Sequence, residues 1–141
     1  MDILVSNMKT NIKNVYKLSK KKYLEKTEFE FKKRHTFIKR KEESEKIMVK
    51  YPERVPVIVE KFSMDLPDLD RKKYLVPDDL SMANFMYVIR KRIKLEAEKS
   101  IFLFLNNKIM QMSKLMGEVY DKHRDEDGFL YIKYCGESTF G

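Results

Sequence analysis

The sequence predicts an α+β fold in which two N-terminal helices precede a four-stranded mixed sheet with crossover helices. The first indication is the position of the helix breakers, since the earliest proline is Pro52 and the earliest glycine is Gly117. The second is that segments with the apolar pattern of strands follow Pro52. The third is size, because 141 residues, 43% of them hydrophobic, suffice for one domain with a buried core.

The helices before the first proline are indicated by residue spacing. Phe37, Lys41, Ser44 and Ile47 are spaced to lie on one side of a helix. That helix should end before Tyr51, because a residue that precedes proline disfavours the α region.

Four later segments are predicted as strands. The first, 54–61, is apolar on both faces, which is typical of a central strand covered on both sides. Its Pro56 should cost one hydrogen bond of the ladder. The second, 73–76, follows a polar turn and can pair with the first as a hairpin. Segments 101–105 and 129–134 complete the sheet.

The starts of the crossover helices are indicated by polar residues that can cap a helix N-terminus. Ser81 can cap a helix whose apolar residues, from Phe85 to Ile93, are spaced helically, and Ser113 can begin another that extends to Tyr120. The order is therefore two helices followed by ββαβαβ. A hairpin, a crossover helix and two further strands make a β-grasp, which is the ubiquitin-like architecture.

The net charge of +8 belongs to the N-terminal third. Residues 1–50 carry 15 Lys and Arg against 7 Asp and Glu, whereas residues 51–141 carry 15 of each. A basic N-terminal third does not by itself indicate that the folded domain binds nucleic acid, so we do not expect nucleic acid as a partner. The N-terminus lacks the apolar stretch of a secretory signal, so the cytoplasm is the expected location.

No chemistry-bearing cluster is recognisable. Cys135 is the sole cysteine and is expected to be an inert thiol in the last strand, while His35 and His123 have no metal-ligand spacing. The sequence also contains no recognisable pattern for a nucleophile–base pair or a carboxylate dyad. We therefore expect neither an enzyme nor a bound cofactor or metal.

The sequence ends in Phe140 and Gly141, after the last predicted strand. Glycine lacks a side chain, so its carboxylate can enter a narrow channel and be approached from either side. A β-grasp followed by a flexible tail, here 137–141, that ends in glycine has the layout of a modifier activated at its C-terminus.

Four motifs carry a resemblance to a known family. They resemble the autophagy-related ubiquitin-like modifiers, the GABARAP and microtubule-associated-protein light-chain family, over roughly residues 27–141. This assigns a ubiquitin-like domain to 27–136, with an N-terminal helical subdomain at about 27–50. The motifs are Tyr51-Pro-Glu-Arg-Val-Pro-Val-Ile-Val-Glu-Lys61, Leu69-Asp-Arg-Lys-Lys-Tyr-Leu-Val-Pro-Asp-Asp-Leu80, Ile89-Arg-Lys-Arg-Ile93 and Asp125-Glu-Asp-Gly-Phe-Leu-Tyr-Ile132.

The resemblance implies conjugation of Gly141 to phosphatidylethanolamine during autophagosome formation. The implied partners are activating and conjugating enzymes, a processing and delipidating cysteine protease, and cargo receptors and adaptors. Most members carry a short tail after this glycine, so the sequence corresponds to a mature form or to a gene without a tail. After lipidation, the protein would lie on autophagosomal or vesicle membranes.

The resemblance also implies capture of peptides that contain an aromatic residue, two variable residues and an aliphatic residue. Such a peptide would add as a strand beside the second strand. The implied aromatic pocket consists of Glu43, Ile47, Pro56, Ile58, Lys73, Leu75 and Phe129. The implied aliphatic pocket consists of Tyr74, Val76, Pro77, Leu80, Phe85, Val88 and Arg92. Arg54, Arg71 and Lys72, together with Lys73, would attract acidic residues that flank the motif.

Residues 1–26 precede the usual start of the family. On a helix over 3–21, lysines lie opposite a contiguous apolar side, and such a helix is suited to an anionic membrane interface. The alternatives are a disordered basic tail, a helix docked on its own domain, and an upstream start codon that the cell does not use. The apolar side consists of Leu4, Val5, Met8, Ile12, Val15, Tyr16 and Leu18, and the lysines are Lys9, Lys13, Lys17, Lys20 and Lys21.

Other function classes compete with the lipid-conjugated modifier. One is a modifier whose terminal glycine joins a protein lysine, although that branch generally lacks the N-terminal helices and the groove. Another is an unconjugated scaffold that binds microtubules or other acidic partners through its basic N-terminus.

Overall fold

The computed structural model describes residues 28–62 and 66–136, which form a five-stranded sheet with helices packed on it. The strand order is β2-β1-β5-β3-β4, with β1 parallel to β5 and the other neighbours antiparallel. In chain order the elements are α1 (Glu30–Arg34), α2 (Phe37–Lys50), β1 (Arg54–Lys61), β2 (Lys73–Pro77), α3 (Met82–Arg92), β3 (Ile101–Leu105), β4 (Lys108–Ile109), α4 (Met116–His123) and β5 (Leu130–Gly136).

The predicted mixed β-grasp sheet with two preceding helices is confirmed, but the prediction of four strands is wrong. Asn106 and Asn107 have φ of 50° and 67°. This left-handed backbone suits a two-residue hairpin turn, and it returns the chain so that Ile109 pairs with Phe104. The resulting β4 has two residues, too few to produce a recognisable alternation.

The proline in β1 does not disrupt the sheet. The strand lies at Arg54–Lys61, as predicted, and pairs with β2 as a hairpin. The N–H of Phe62 donates to the carbonyl of Tyr134, so even-numbered residues of this strand face β5. Pro56 is one of them, and pairing with β5 begins only at Val57. The donor that proline lacks therefore falls at the start of the ladder with β5.

Several predicted positions shift by a few residues. Ser81 caps α3 by accepting from the N–H of Asn84, as expected. Ser113 does not begin α4, which starts at Met116 because the first N–H groups of that helix donate to the carbonyls before α3. On α2, Ser44 of the predicted side is buried and Ile47 is half-buried, whereas Phe37 is 41% exposed.

Two hydrophobic clusters lie on opposite faces of the sheet. The larger one joins α3 and α4 to residues of alternate positions on β1, β3 and β5, such as Val57, Leu103 and Ile132. The smaller one joins Phe31 of α1 to Ile58 and Phe129. Burial on both faces explains the continuous apolar run of β1.

A buried carboxylate holds α1 on the sheet. Glu60 of β1 accepts from the backbone N–H groups of Glu30 and Phe31, at 2.8 and 3.0 Å. These are N–H groups of the first helical turn, which lack partners within the helix, and the carboxylate also favours the positive end of the helix dipole. The ammonium of Lys133 lies 3.9 Å from the same carboxylate.

A second buried carboxylate holds α2. Asp127, in the turn before β5, accepts from Arg40 and from the hydroxyl of Tyr131, both at 2.5 Å, and from the N–H of Phe129. Ser44 donates to the backbone carbonyl of Asp127. The next residue, Gly128, has φ of +91°. The turn therefore requires glycine there and is tied to α2 at two points, Arg40 and Ser44.

We predict that Arg40→Ala will lower the free energy of unfolding by about 3 kcal/mol, because it leaves a fully buried carboxylate without its counter-ion. The matched control is Arg34→Ala, whose ion pair with Glu30 is exposed and should contribute less than about 0.5 kcal/mol. Urea unfolding measures both values. Similar losses for the two variants would contradict the role of Asp127.

Candidate functional site

β2 forms an outer edge of the sheet, and its backbone groups alternate in direction. The N–H of Val59 donates to the carbonyl of Lys72 at 2.8 Å. Because hydrogen bonds of an antiparallel pair recur at every second residue, Lys73 and Leu75 direct their N–H and C=O groups away from β1. Pro77, at the end of the strand, has no N–H. The edge can therefore accept one further strand beside Lys73 and Leu75.

The predicted aromatic pocket lies on the face that carries α1 and α2. Leu75 pairs with Pro56 and Lys73 pairs with Ile58, so all four side chains share this face. Ile58 and Phe129 form its buried floor, and Ile47 of α2 packs against them. The structure thus brings the predicted pocket residues together.

An exposed ion pair spans this pocket. The Lys73 ammonium lies 2.6 Å from the Glu43 carboxylate, with side-chain exposures of 53% and 35%. Exposed pairs of this kind contribute little stability. An entering side chain can therefore displace the pair at small cost.

Most of the predicted aliphatic pocket lies on the opposite face, but Pro77, which pairs with Arg54 and alternates with Val76, lies on the face of the aromatic pocket. Tyr74 and Val76 point to the opposite face, and the rings of Tyr74 and Phe85 meet edge to face with centroids 6.1 Å apart. Leu80 packs on the same cluster. Val88 is 38% exposed, so it lies on the surface of α3.

Tyr74 and Arg92 close one end of this pocket. The Arg92 guanidinium lies 5.6 Å from the centre of the Tyr74 ring and hydrogen-bonds Asp70. Burial raises the pKa of the Tyr74 phenol, and the charge of Arg92 opposes that rise. Within residues 28–62 and 66–136, the Tyr74 hydroxyl is buried and has no hydrogen-bond partner.

A basic cavity of about 350 Å³ adjoins the aromatic pocket. Of the residues predicted to attract acidic flanks, Arg71 and Lys72 line it together with Lys73. Arg54 does not, because it pairs with Pro77 at the other end of β2 and packs on the ring of Tyr51. The complete lining is Phe31, Arg34, His35, Arg71, Lys72 and Lys73.

Sequence reasoning missed the contribution of α1 to this cavity. The rings of Phe31 and His35 are tilted at 45° with centroids 4.7 Å apart, and they form the cavity's aromatic wall. The available signal was the alternation of Phe29 and Phe31 in a charged segment, but a helix of five residues has too little periodicity to be recognised. Gly141, the tail at 137–141 and the extension at 1–26 lie outside the described residues.

Other kinds of site have little support in the described part of the chain. It contains no helix that is both long and apolar enough to span a bilayer. It also brings together no group of three or more His, Cys, Asp or Glu side chains suited to a metal ion. Cys135 is buried.

Comparisons with known proteins agree on one family. A family model described as "Autophagy protein Atg8 ubiquitin like" matches residues 39–141. Autophagy-related protein 8 of Mycosarcoma maydis is 55% identical over 112 residues, which cover 79% of this chain and 95% of that protein. The crystal structure of Trypanosoma brucei ATG8 is similar with a TM-score of 0.77 and 44% identity, covering 82% of this chain and all of that one. Plasmodium falciparum Atg8, solved in complex with a P. falciparum Atg3 peptide, has a TM-score of 0.71 and 33% identity, covering 77% and 96%.

We predict that Tyr74→Phe will leave the free energy of unfolding unchanged or raise it by up to about 1 kcal/mol. The change removes a buried hydroxyl that has no partner among the described residues and keeps the ring on Phe85. Urea unfolding is the measurement. A loss greater than about 1 kcal/mol would show that the hydroxyl is hydrogen-bonded in solution.

Proposed function

Because the chain belongs to the Atg8 family of ubiquitin-like autophagy proteins, we propose that it is a modifier joined through Gly141 to phosphatidylethanolamine. On that membrane it recruits cargo receptors and adaptors during autophagosome formation. The observation that carries the recruiting role is the open edge of β2, with a pocket on each face of the sheet beside it. In its free form the protein is cytoplasmic.

Conjugation needs no catalytic group from this chain. An activating enzyme would transfer AMP from ATP to the Gly141 carboxylate, with release of pyrophosphate. An enzyme cysteine would displace AMP to form a thioester, and the lipid amine would displace the thiol to form an amide. What Gly141 supplies is a carboxyl carbon without a neighbouring side chain. The family model extends through this residue.

A conjugating enzyme is a partner in this proposal. The P. falciparum relative binds an Atg3 peptide, and it is 33% identical over most of this chain. A peptide of that kind fits the same edge, because backbone bonds to Lys73 and Leu75 do not depend on the peptide's sequence. Enzymes and receptors would then compete for one groove.

Side chains of the peptide would select the motif. Neighbouring residues of β2 face opposite pockets, since Leu75 pairs with Pro56 on one face while Tyr74 pairs with Val57 on the other. The floor of Ile58 and Phe129 suits a flat aromatic ring, whereas Val76 and Leu80 suit a branched aliphatic side chain. The basic cavity beside the aromatic pocket favours acidic residues that precede the aromatic.

We predict that Gly141→Ala will abolish lipidation of the 141-residue chain. The test mixes it with purified activating and conjugating enzymes, ATP and vesicles that contain phosphatidylethanolamine, and intact mass measures the lipid adduct. Thr139→Ala is the matched control and should be lipidated like wild type. An adduct on the Gly141→Ala variant, formed at a comparable rate, would remove the central proposal.

We also predict that Leu75→Ala will weaken an acidic peptide with a Trp-x-x-Leu core about tenfold, because it removes part of the pocket. Leu75→Pro should weaken it about fivefold more, since it also removes an outward N–H worth roughly 1 kcal/mol. Proline is tolerated at such an edge position, so the sheet should persist.

Isothermal titration calorimetry measures these affinities, and circular dichroism monitors the fold. Tyr87→Ala, on the exposed surface of α3, is the control and should bind like wild type. Equal affinity of wild type and the folded Leu75→Ala and Leu75→Pro variants would place the peptide elsewhere.

A further inference from the structure

An apolar patch lies on the face of the sheet that carries α1 and α2, but toward the opposite edge. Phe104 of β3 pairs with Ile109 of β4, so both side chains share one face, and the Phe104 ring stacks on Phe62 at 6.4 Å. Phe102, two residues earlier on β3, lies on the same face. We call Phe62, Phe102, Phe104 and Ile109 the β3 patch. The three phenylalanines are half-buried, and Ile109 is 56% exposed.

The N-terminal extension joins the domain beside this patch. Lys133 of β5 donates to the carbonyl of Glu28 at 3.0 Å and lies 4.4 Å from the centre of the Phe29 ring. The partner of Lys133 on β3 is Phe104, the centre of the patch. The carbonyl of Glu28 therefore lies above β5, on the same face as the patch and beside the strand that carries Phe104.

The extension has the composition and length to cover it. A helix over 3–21 would have one apolar side, centred on Met8 and Ile12, with lysines opposite. It would be about 28 Å long. The linker at 22–27 can reach about 20 Å, which exceeds the roughly 10 Å from β5 to β4.

We propose that residues 3–21 form a helix that packs through its apolar side on the β3 patch of its own domain. The tether keeps the segment at a high effective concentration near the patch, so one helix can cover it without a second molecule. The lysines would then face solvent and present a basic ridge. The family model begins at residue 39, so this cover would be an addition to the shared fold.

Hydrogen exchange of the full chain, measured by mass spectrometry, tests the proposal. Amides of residues 4–18 should exchange at least about tenfold more slowly than in the Met8→Asp, Ile12→Asp double variant, which places charge in the apolar side. Lys9→Gln with Lys13→Gln, on the opposite side, is the matched control and should retain protection. The protection should not depend on protein concentration.

A reciprocal change on the domain locates the contact. Ile109→Asp should also deprotect residues 4–18, whereas Tyr87→Asp should not, although the two native side chains are equally exposed at 56% and 55%. Both lie on the surface, so the fold should survive, as unchanged exchange in β1 would verify.

Three results would overturn the proposal. Exchange of residues 4–18 at the rate of an unfolded chain would show no docked helix. Protection that survives Ile109→Asp would place the helix elsewhere. Protection that appears only at high protein concentration, or only with phosphatidylserine vesicles, would assign the apolar side to a second copy or to a membrane.

Discussion

The buried carboxylate of Asp127 is the constraint on which the candidate groove depends. It fixes the turn before β5 and, through Arg40, fixes α2 against that turn. This places α2 so that Glu43 and Ile47 stand above the floor of the aromatic pocket. A fully buried charge is costly unless it is paired and hydrogen-bonded. The hydrogen bonds of Asp127 are therefore satisfied in one arrangement, and that arrangement also holds α2, the wall of the pocket, in place.

The groove combines rigid and adaptable parts. Its floor belongs to the cores on both faces of the sheet, where Ile58 and Phe85 are fully buried. Its rim consists of exposed groups such as Lys73 and Val88 that can move at little cost. A site built in this way can keep one backbone geometry while it accepts different side chains. This suits the peptide recruitment that we propose for this member of an autophagy family.

The sequence was sufficient for the strands that are long and apolar and insufficient for features that depend on distant contacts. β1 and β3 were predicted with their observed bounds because their side chains match a regular pattern. The start of α4 was not, since carbonyls before α3 set it. The docking of α1 also escaped prediction, because its cap, Glu60, is about thirty residues away in sequence. The pocket residues came from family resemblance, since their spacing alone carries no signal.

Pro77 gives the open edge a definite end. An exposed strand edge is a template for unwanted pairing, and natural sheets limit it with short strands, lysines and prolines. β2 has all three features within Lys73–Pro77 and the two basic residues before it. A long foreign strand would reach Pro77, which has no N–H to donate. A basic strand would also be repelled by the row of basic residues that precedes the proline. The edge can therefore remain open for short acidic segments while the protein resists assembly into extended sheets, even when many copies are crowded together.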